Sequence, residues 1–286
     1  MSGTSLTAAK DVEPARAFFA CAMLLAAFLA LAAPEAADMA RQWTWSSSYH
    51  HGWLAAPIAL WLFIDGKPWR TAKAGTDLLG LAPLSLAVAL LLAGRIAQAA
   101  LLGHLAIIAG ILGVCLLTLG RAVIGKSAFA FGFLIFMVPF GESLIPALQH
   151  AAAVVVAFLL NLTGLETTRD GLILSTAAGR FEMAESCAGL RFLLAAAMIA
   201  SLAAHLAFTR RAKRLAFIAG ALALAIAANW LRAFVIVAAA TASDMRIGAG
   251  PEHVAFGWVL YAGMIVVVLL LARRYGDRGV LPSSAG

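Results

Sequence analysis

Phe181-Glu182-Met183-Ala184-Glu185-Ser186-Cys187-Ala188-Gly189-Leu190-Arg191 runs directly into an apolar stretch that continues to Phe208 and is closed by Arg210-Arg211-Ala212-Lys213-Arg214. A run of this length, with its charge held to the two ends, matches a hydrocarbon core roughly 30 Å thick at about 1.5 Å per helical residue. The stretch therefore predicts a membrane-spanning helix with a polar, cysteine-bearing mouth at one end and a basic cluster at the other.

The same alternation recurs along the chain. Its 286 residues are 63% hydrophobic and only 12% charged, with a mean hydropathy of +0.93. Apolar runs at Ala17–Ala33, Trp53–Ile64, Leu78–Gly94, Ala99–Gly120, Ser127–Phe140, Leu190–Phe208, Leu215–Ala240 and Val254–Leu271 predict an all-α polytopic membrane protein with about eight transmembrane helices. The first run is longer than a signal-peptide core, which favours an uncleaved anchor, although Ala32-Ala33-Pro34 would permit cleavage. Ala151–Leu162, about 12 apolar residues, is too short to cross and reads as interfacial or re-entrant. Pro139-Phe140-Gly141-Glu142 should bend the chain after the fifth run.

The net charge of +7 does not point to nucleic acid, because Lys and Arg sit in short clusters between apolar blocks, where they act as topology anchors. Arg210 to Arg214 and Arg273-Arg274 mark the cytoplasmic side, as do Lys67 to Lys73 and Arg121 with Lys126. The organisation that follows is a cytoplasmic leader at 1–16, one transmembrane domain at 17–272 and a cytoplasmic tail at 273–286. The polar loop 165–186 faces outward. Within it, Leu172-Ile173-Leu174, Ala177 to Arg180 and Phe181-Glu182-Met183 alternate as strand, turn and strand, so a small β-hairpin should precede and hold Cys187. Gln42 to Gly52 reads as an aromatic belt at the outer interface, and Asn161-Leu162-Thr163 fits the glycosylation sequon, a pattern too short to carry weight.

Three cysteines are too few and too scattered for a disulfide framework or a zinc site, and Cys21 and Cys115 lie inside apolar runs. No metal or cofactor is implied. Cys187 differs from the other two in its polar neighbours, and Ser186 is placed to N-cap the following helix, whose positive end would favour a thiolate. Counted from the basic anchors, Cys187, Arg232 and His253 each lie roughly 27–35 Å away, at the opposite face of the bilayer. An intramembrane arginine is costly, and Arg232, with Asn229 three residues earlier, either snorkels to the interface or supplies the cation a thiolate needs. His253 follows Pro251-Glu252 at the start of the last run and becomes a candidate general acid or base once a cysteine shares its depth. His104, Cys115, His150 and His205 read as structural.

These residues resemble the exosortase and archaeosortase family of integral membrane cysteine transpeptidases. Glu185-Ser186-Cys187-Ala188-Gly189-Leu190-Arg191 resembles the family's cysteine motif, Asn229 to Arg232 its arginine motif, and His253 with Gly257-Trp258 its histidine motif. Tyr49-His50-His51-Gly52 is similar to the family's Tyr-Ser-His-Gly, with His50 in place of serine, and Val138-Pro139, Gly141-Glu142 and Pro146 match further. Ala188 stands where the common motif has serine. The resemblance implies a thiol protease or transpeptidase of the bacterial inner membrane, with its active site facing the periplasm. Its substrates would be exported proteins ending in a Pro-Glu-Pro-type (PEP-CTERM) sorting motif, a transmembrane helix and a basic tail. Cys187 would be the nucleophile, Arg232 the stabiliser of thiolate or oxyanion and His253 the general acid and base, supported by Glu185, Ser186, Gly189 and Asn229. Partners other than such substrates and the lipid bilayer are not implied. The competing class is a transporter or exopolysaccharide-export component, which would place its polar groups near the bilayer midplane; a noncatalytic scaffold is the third.

Overall fold

The computed structural model describes residues 5–68, 76–246 and 252–277, with side chains for 15–68, 76–246 and 255–277. Apart from one small sheet and the connecting turns, the described chain is helical, and it forms two compact units, Met1–Phe140 and Gly141–Gly286. Among the described residues, six helices are long and apolar enough to cross a membrane, or seven if one bent pair counts as a span. This is the polytopic all-α membrane protein expected. The two remaining expected spans, Trp53–Ile64 and Ser127–Phe140, prove to be shorter apolar helices, Gly52–Asp65 and Ala128–Met137.

The first unit contains α1 (Ser5–Leu31), α2 (Ala33–Trp45), α3 (Gly52–Asp65), α4 (Leu81–Ala97), α5 (Ala100–Leu119), α6 (Arg121–Lys126) and α7 (Ala128–Phe133). The bend of 79° between α1 and α2 falls at Ala32, where Pro34 occupies the first turn of α2. Small residues let helix backbones approach closely where both partners are apolar. A Cβ on Gly113 would come within 2.7 Å of the Leu84 backbone nitrogen, so α4 and α5 pack almost backbone to backbone. The polar groups of this unit act in pairs. Arg95 grips Glu35 with Nε and NH2 at 2.7 and 3.0 Å, while buried His104 places Nε2 at 2.9 Å from Asp38. Cys21 and Cys115, also buried, bring their sulfurs to 3.7 Å. The structural reading of His104 and Cys115 thus holds, with partners that the sequence did not reveal. At the other end of α4, the Arg121 guanidinium holds the Asp77 carboxyl below the usual carboxylate range.

The aromatic segment near residue 45 is partly interior rather than a belt. Trp43 is buried and donates Nε1–H to the Met137 carbonyl at 2.7 Å, and Tyr49 is buried, while Trp45 and Trp53 remain exposed. Residues 69–73 of the expected basic return loop lie outside the described residues.

The second unit contains α8 (Ile145–Leu162), β1 (Thr168–Asp170), β2 (Ile173–Thr176), β3 (Gly179–Glu182), α9 (Leu190–Ala207), α10 (Arg211–Ala242) and α11 (Glu252–Tyr275). The expected hairpin is β2–β3, with Leu174 opposite Phe181. β1 adds a third antiparallel strand, with Arg169 opposite Leu174. Its polar Thr168-Arg169-Asp170 sequence carried no strand signal.

The short piece expected at Ala151–Leu162 is longer than its apolar core, because Pro146 is tolerated in the first helical turn and the helix takes in Gln149 and His150. With the preceding turn it spans 21 residues, Glu142–Leu162, and qualifies as a candidate crossing by length and composition. Its buried face packs on Leu174 and Met183 and on Ala233 and Val237 of α10, with Cys187 and Trp230 against the same cluster. Gln149 donates to the Met183 carbonyl at 2.9 Å, and Asn161, the sequon asparagine, instead ties the helix end to Thr167.

Helices α9, α10 and α11 pack in layers that climb one turn at a time. From the basic end, Ala204 meets Ala272, Ala200 meets Ala221 and Val268, and Ala196 meets Ala225 and Met264. Alanine dominates because, between lipid-facing helices, close packing replaces the hydrophobic effect as the source of association. At the base, Asp277 accepts from Thr209 and pairs with Lys213, and these contacts hold its carboxyl at about 2.

Candidate active site

One turn above the Ala196 layer, Phe192 of α9 packs against Tyr261 of α11, ring centroids 5.2 Å apart and planes tilted by 52°. One turn further stands Arg232 of α10, 2% exposed, its guanidinium carbon 5.6 Å from the Phe192 centroid. It does not snorkel. Its Nε and NH1 are buried without a hydrogen-bond acceptor among the described residues. Gly257 of α11 leaves the space beside it, and a Cβ there would sit 3.5 Å from Arg232 Nε. An uncompensated buried cation is costly to retain, which makes those N–H groups candidates for an anion that arrives with chemistry.

Cys187 reaches this level by a route different from the one its sequence suggested. Ser186 does not cap a helix, and Cys187 is not in the first turn of α9. Glu185–Cys187 forms a separate 3-10 turn after Ala184, with Glu185 and Ser186 exposed and Cys187 half-buried. Gly189 then takes a left-handed φ of +85° and α9 starts at Leu190. An L side chain disfavours that conformation, so the glycine is what separates turn from helix. The expected dipole of α9 is therefore not aligned through the cysteine's own peptide.

Asn229 fixes the turn. Its Nδ2 donates to the Cys187 carbonyl at 2.8 Å, and its side chain fills the space a Cβ on Gly189 would need, 2.5 Å from Asn229 Cγ. Three residues on, nearly one turn along the same helix, stands Arg232. The fold thus brings together Cys187, Gly189, Asn229 and Arg232, and leaves Glu185 and Ser186 at its rim. His253 sits in α11 four residues before Gly257, one helical turn along; its side chain lies outside the described residues. Two contributors were not singled out in the sequence, Phe192 as the platform under Arg232 and Arg191 on the same ring. Their signal was the aromatic and the charge immediately after the glycine break.

Fold and site together define a multi-pass α-helical membrane protein with a thiol and a buried guanidinium, two of whose nitrogens lack an acceptor among the described residues, at one end of a helical bundle. The chain belongs to the transmembrane exosortase family, whose model (Exosortase_EpsH) matches residues 43–270, a family of membrane-embedded sorting transpeptidases that use cysteine. No curated protein and no solved structure matches it.

Proposed function

We propose that the protein is a cysteine endopeptidase or transpeptidase that removes Pro-Glu-Pro-type C-terminal sorting signals from exported proteins at the periplasmic face of the bacterial inner membrane. The observation that carries this reading is geometric: Asn229 of α10 holds the Cys187 carbonyl at 2.8 Å, and three residues on, the same helix carries buried Arg232, whose Nε and NH1 have no acceptor among the described residues. The substrate's own transmembrane helix would hold its motif at the depth of Cys187.

In this mechanism the Cys187 thiolate attacks the scissile carbonyl carbon, a C–S bond forms, and the oxygen takes up the negative charge beside the Arg232 N–H donors. His253 gives a proton to the leaving nitrogen as the C–N bond breaks, which leaves a thioester on Cys187. An acceptor amine or water, relieved of its proton by His253, then attacks the thioester and returns the thiolate. Asn229 keeps the cysteine's backbone fixed throughout. A static arrangement of this kind lowers the barrier by orientation and by preorganised charge, without a metal or cofactor being implied.

The test is a reporter carrying the motif, an apolar helix and a basic tail, co-expressed with the wild-type chain or with Cys187→Ala. Loss of the C-terminal segment with the wild type and its full retention with Cys187→Ala are expected; equal processing by both would remove Cys187 as the nucleophile.

A further inference from the structure

Arg232 is not alone. Arg191, in the first turn of α9, lays its guanidinium carbon 4.9 Å from the centroid of the same Phe192 ring. Arg191 NH2 and Arg232 Nε both lie within 4 Å of the point where a Cβ on Gly257 would stand, at 3.8 and 3.5 Å. Two permanent cations, one on α9 and one on α10, therefore converge on a single spot left open by a glycine of α11. Like charges so placed repel, and cation–π contact with one phenyl face offsets only part of that. Elsewhere, arginines that stitch helices together carry carboxylates, Arg95 on Glu35 and Arg121 on Asp77. Among the described residues neither Arg191 nor Arg232 has one. Arg232, almost wholly buried, also keeps two nitrogens without an acceptor.

One catalytic arginine accounts for a developing oxyanion, but not for a second guanidinium turned to the same opening. We propose that Arg191 and Arg232 form a carboxylate subsite for the peptide substrate, in which Arg191 reads an acidic side chain beside the scissile bond and Arg232 remains with the sulfur and the oxyanion. This inference rests on the peptidase reading above. A carboxylate suits the pair because the planar guanidinium fork matches its two oxygens and the charge-assisted bonds are the strong ones. Bound substrate would then relieve the repulsion between the two arginines, so binding and the alignment of Arg232 are coupled. Arg191 is in this sense a specificity-determining residue, and a neutral motif should be turned over poorly by an enzyme otherwise intact.

The experiment is a cross between enzyme and substrate variants in native membranes, using the full-length chain and the reporter with its motif glutamate kept, changed to glutamine, or changed to lysine. The wild type should process the glutamine motif about 10- to 100-fold more slowly than the glutamate motif, the range expected for a charged hydrogen-bond pair. Arg191→Gln should lose a similar factor on the glutamate motif and little more on the glutamine motif, and Arg191→Glu should regain processing of the lysine motif. Equal losses for Arg191→Gln on glutamate and glutamine motifs would overturn the subsite and point to an anion elsewhere, such as a lipid phosphate. Should Arg191→Gln fail to accumulate, the wild-type ratio and that of Arg191→Lys decide, since a wild type indifferent to the motif's charge also overturns it. Failure of the wild type on every motif would instead overturn the peptidase reading from which the subsite follows.

Discussion

Replacing Gly189 with alanine should disable the site while leaving most of the fold in place. The backbone there has φ +85°, a conformation that costs an L residue roughly 1–2 kcal/mol. The new Cβ would lie 2.5 Å from Asn229 Cγ and 2.6 Å from its Nδ2. Asn229 must therefore move, and its 2.8 Å bond to the Cys187 carbonyl breaks, at a further cost of about 0.5–1.5 kcal/mol. The sum, about 1.5–3.5 kcal/mol, is a loss of stability that a folded domain can survive. The catalytic loss should be larger, because misplacing a reacting group by about 1 Å costs on the order of 100-fold in rate. The assay is reporter processing at matched abundance, alongside the thermal midpoint of the purified chain in detergent. Gly189→Ala/Asn229→Gly removes the clash but not the strained φ, so it should recover part of the stability and little of the activity. Wild-type processing by Gly189→Ala would refute the view that Gly189 and Asn229 together hold the cysteine turn.

Arg232→Lys should lose about 100- to 1,000-fold in processing rate, the usual cost of one oxyanion donor, whereas near-wild-type rates would leave Arg232 with a packing role only. Gly113→Leu should prevent accumulation of folded protein, since its first side-chain carbon already meets the Leu84 backbone at 2.7 Å; unchanged abundance would contradict the close α4–α5 packing. The Lys213 ammonium, then the Thr209 N–H, holds Asp277 at about 2, below an unfolded value of about 3.9. A carboxyl depressed in this way stabilises the fold above its unfolded value and loses that contribution as pH falls through the folded one. The thermal midpoint should accordingly drop between about pH 4 and pH 2, and Asp277→Asn should flatten the drop. Because α8 packs on the 230–238 part of α10, at the end away from its basic start, reporter fusions at Ala147 and Leu165 should report the same compartment; opposite compartments would mean that α8 crosses.

What the sequence determined by itself was that the chain is a multi-pass membrane protein and where most of its apolar helices lie. Composition, run length and the placement of Arg210 to Arg214 are one-dimensional properties, and a hydrocarbon slab reads them one helix at a time, so α4, α5, α9, α10 and α11 were legible within a few residues. The expectation that Cys187, Arg232 and His253 share one depth was a count of the same kind, along a helix of fixed rise. Tertiary structure decided what depends on two elements at once. Ser186 had the chemistry of a cap, yet the left-handed Gly189 places the helix start beyond it, because Asn229 from another helix occupies the space a side chain would need. Arg232 is buried rather than snorkelling because Phe192 and the open face of Gly257 receive it, and no local pattern records a neighbour forty residues away. β1 and the full length of α8 went unread because both are specified by the surface they cover and not by their own apolar period. The convergence of Arg191 with Arg232 belongs to the same class, since a repulsion between two helices exists only after those helices have been packed.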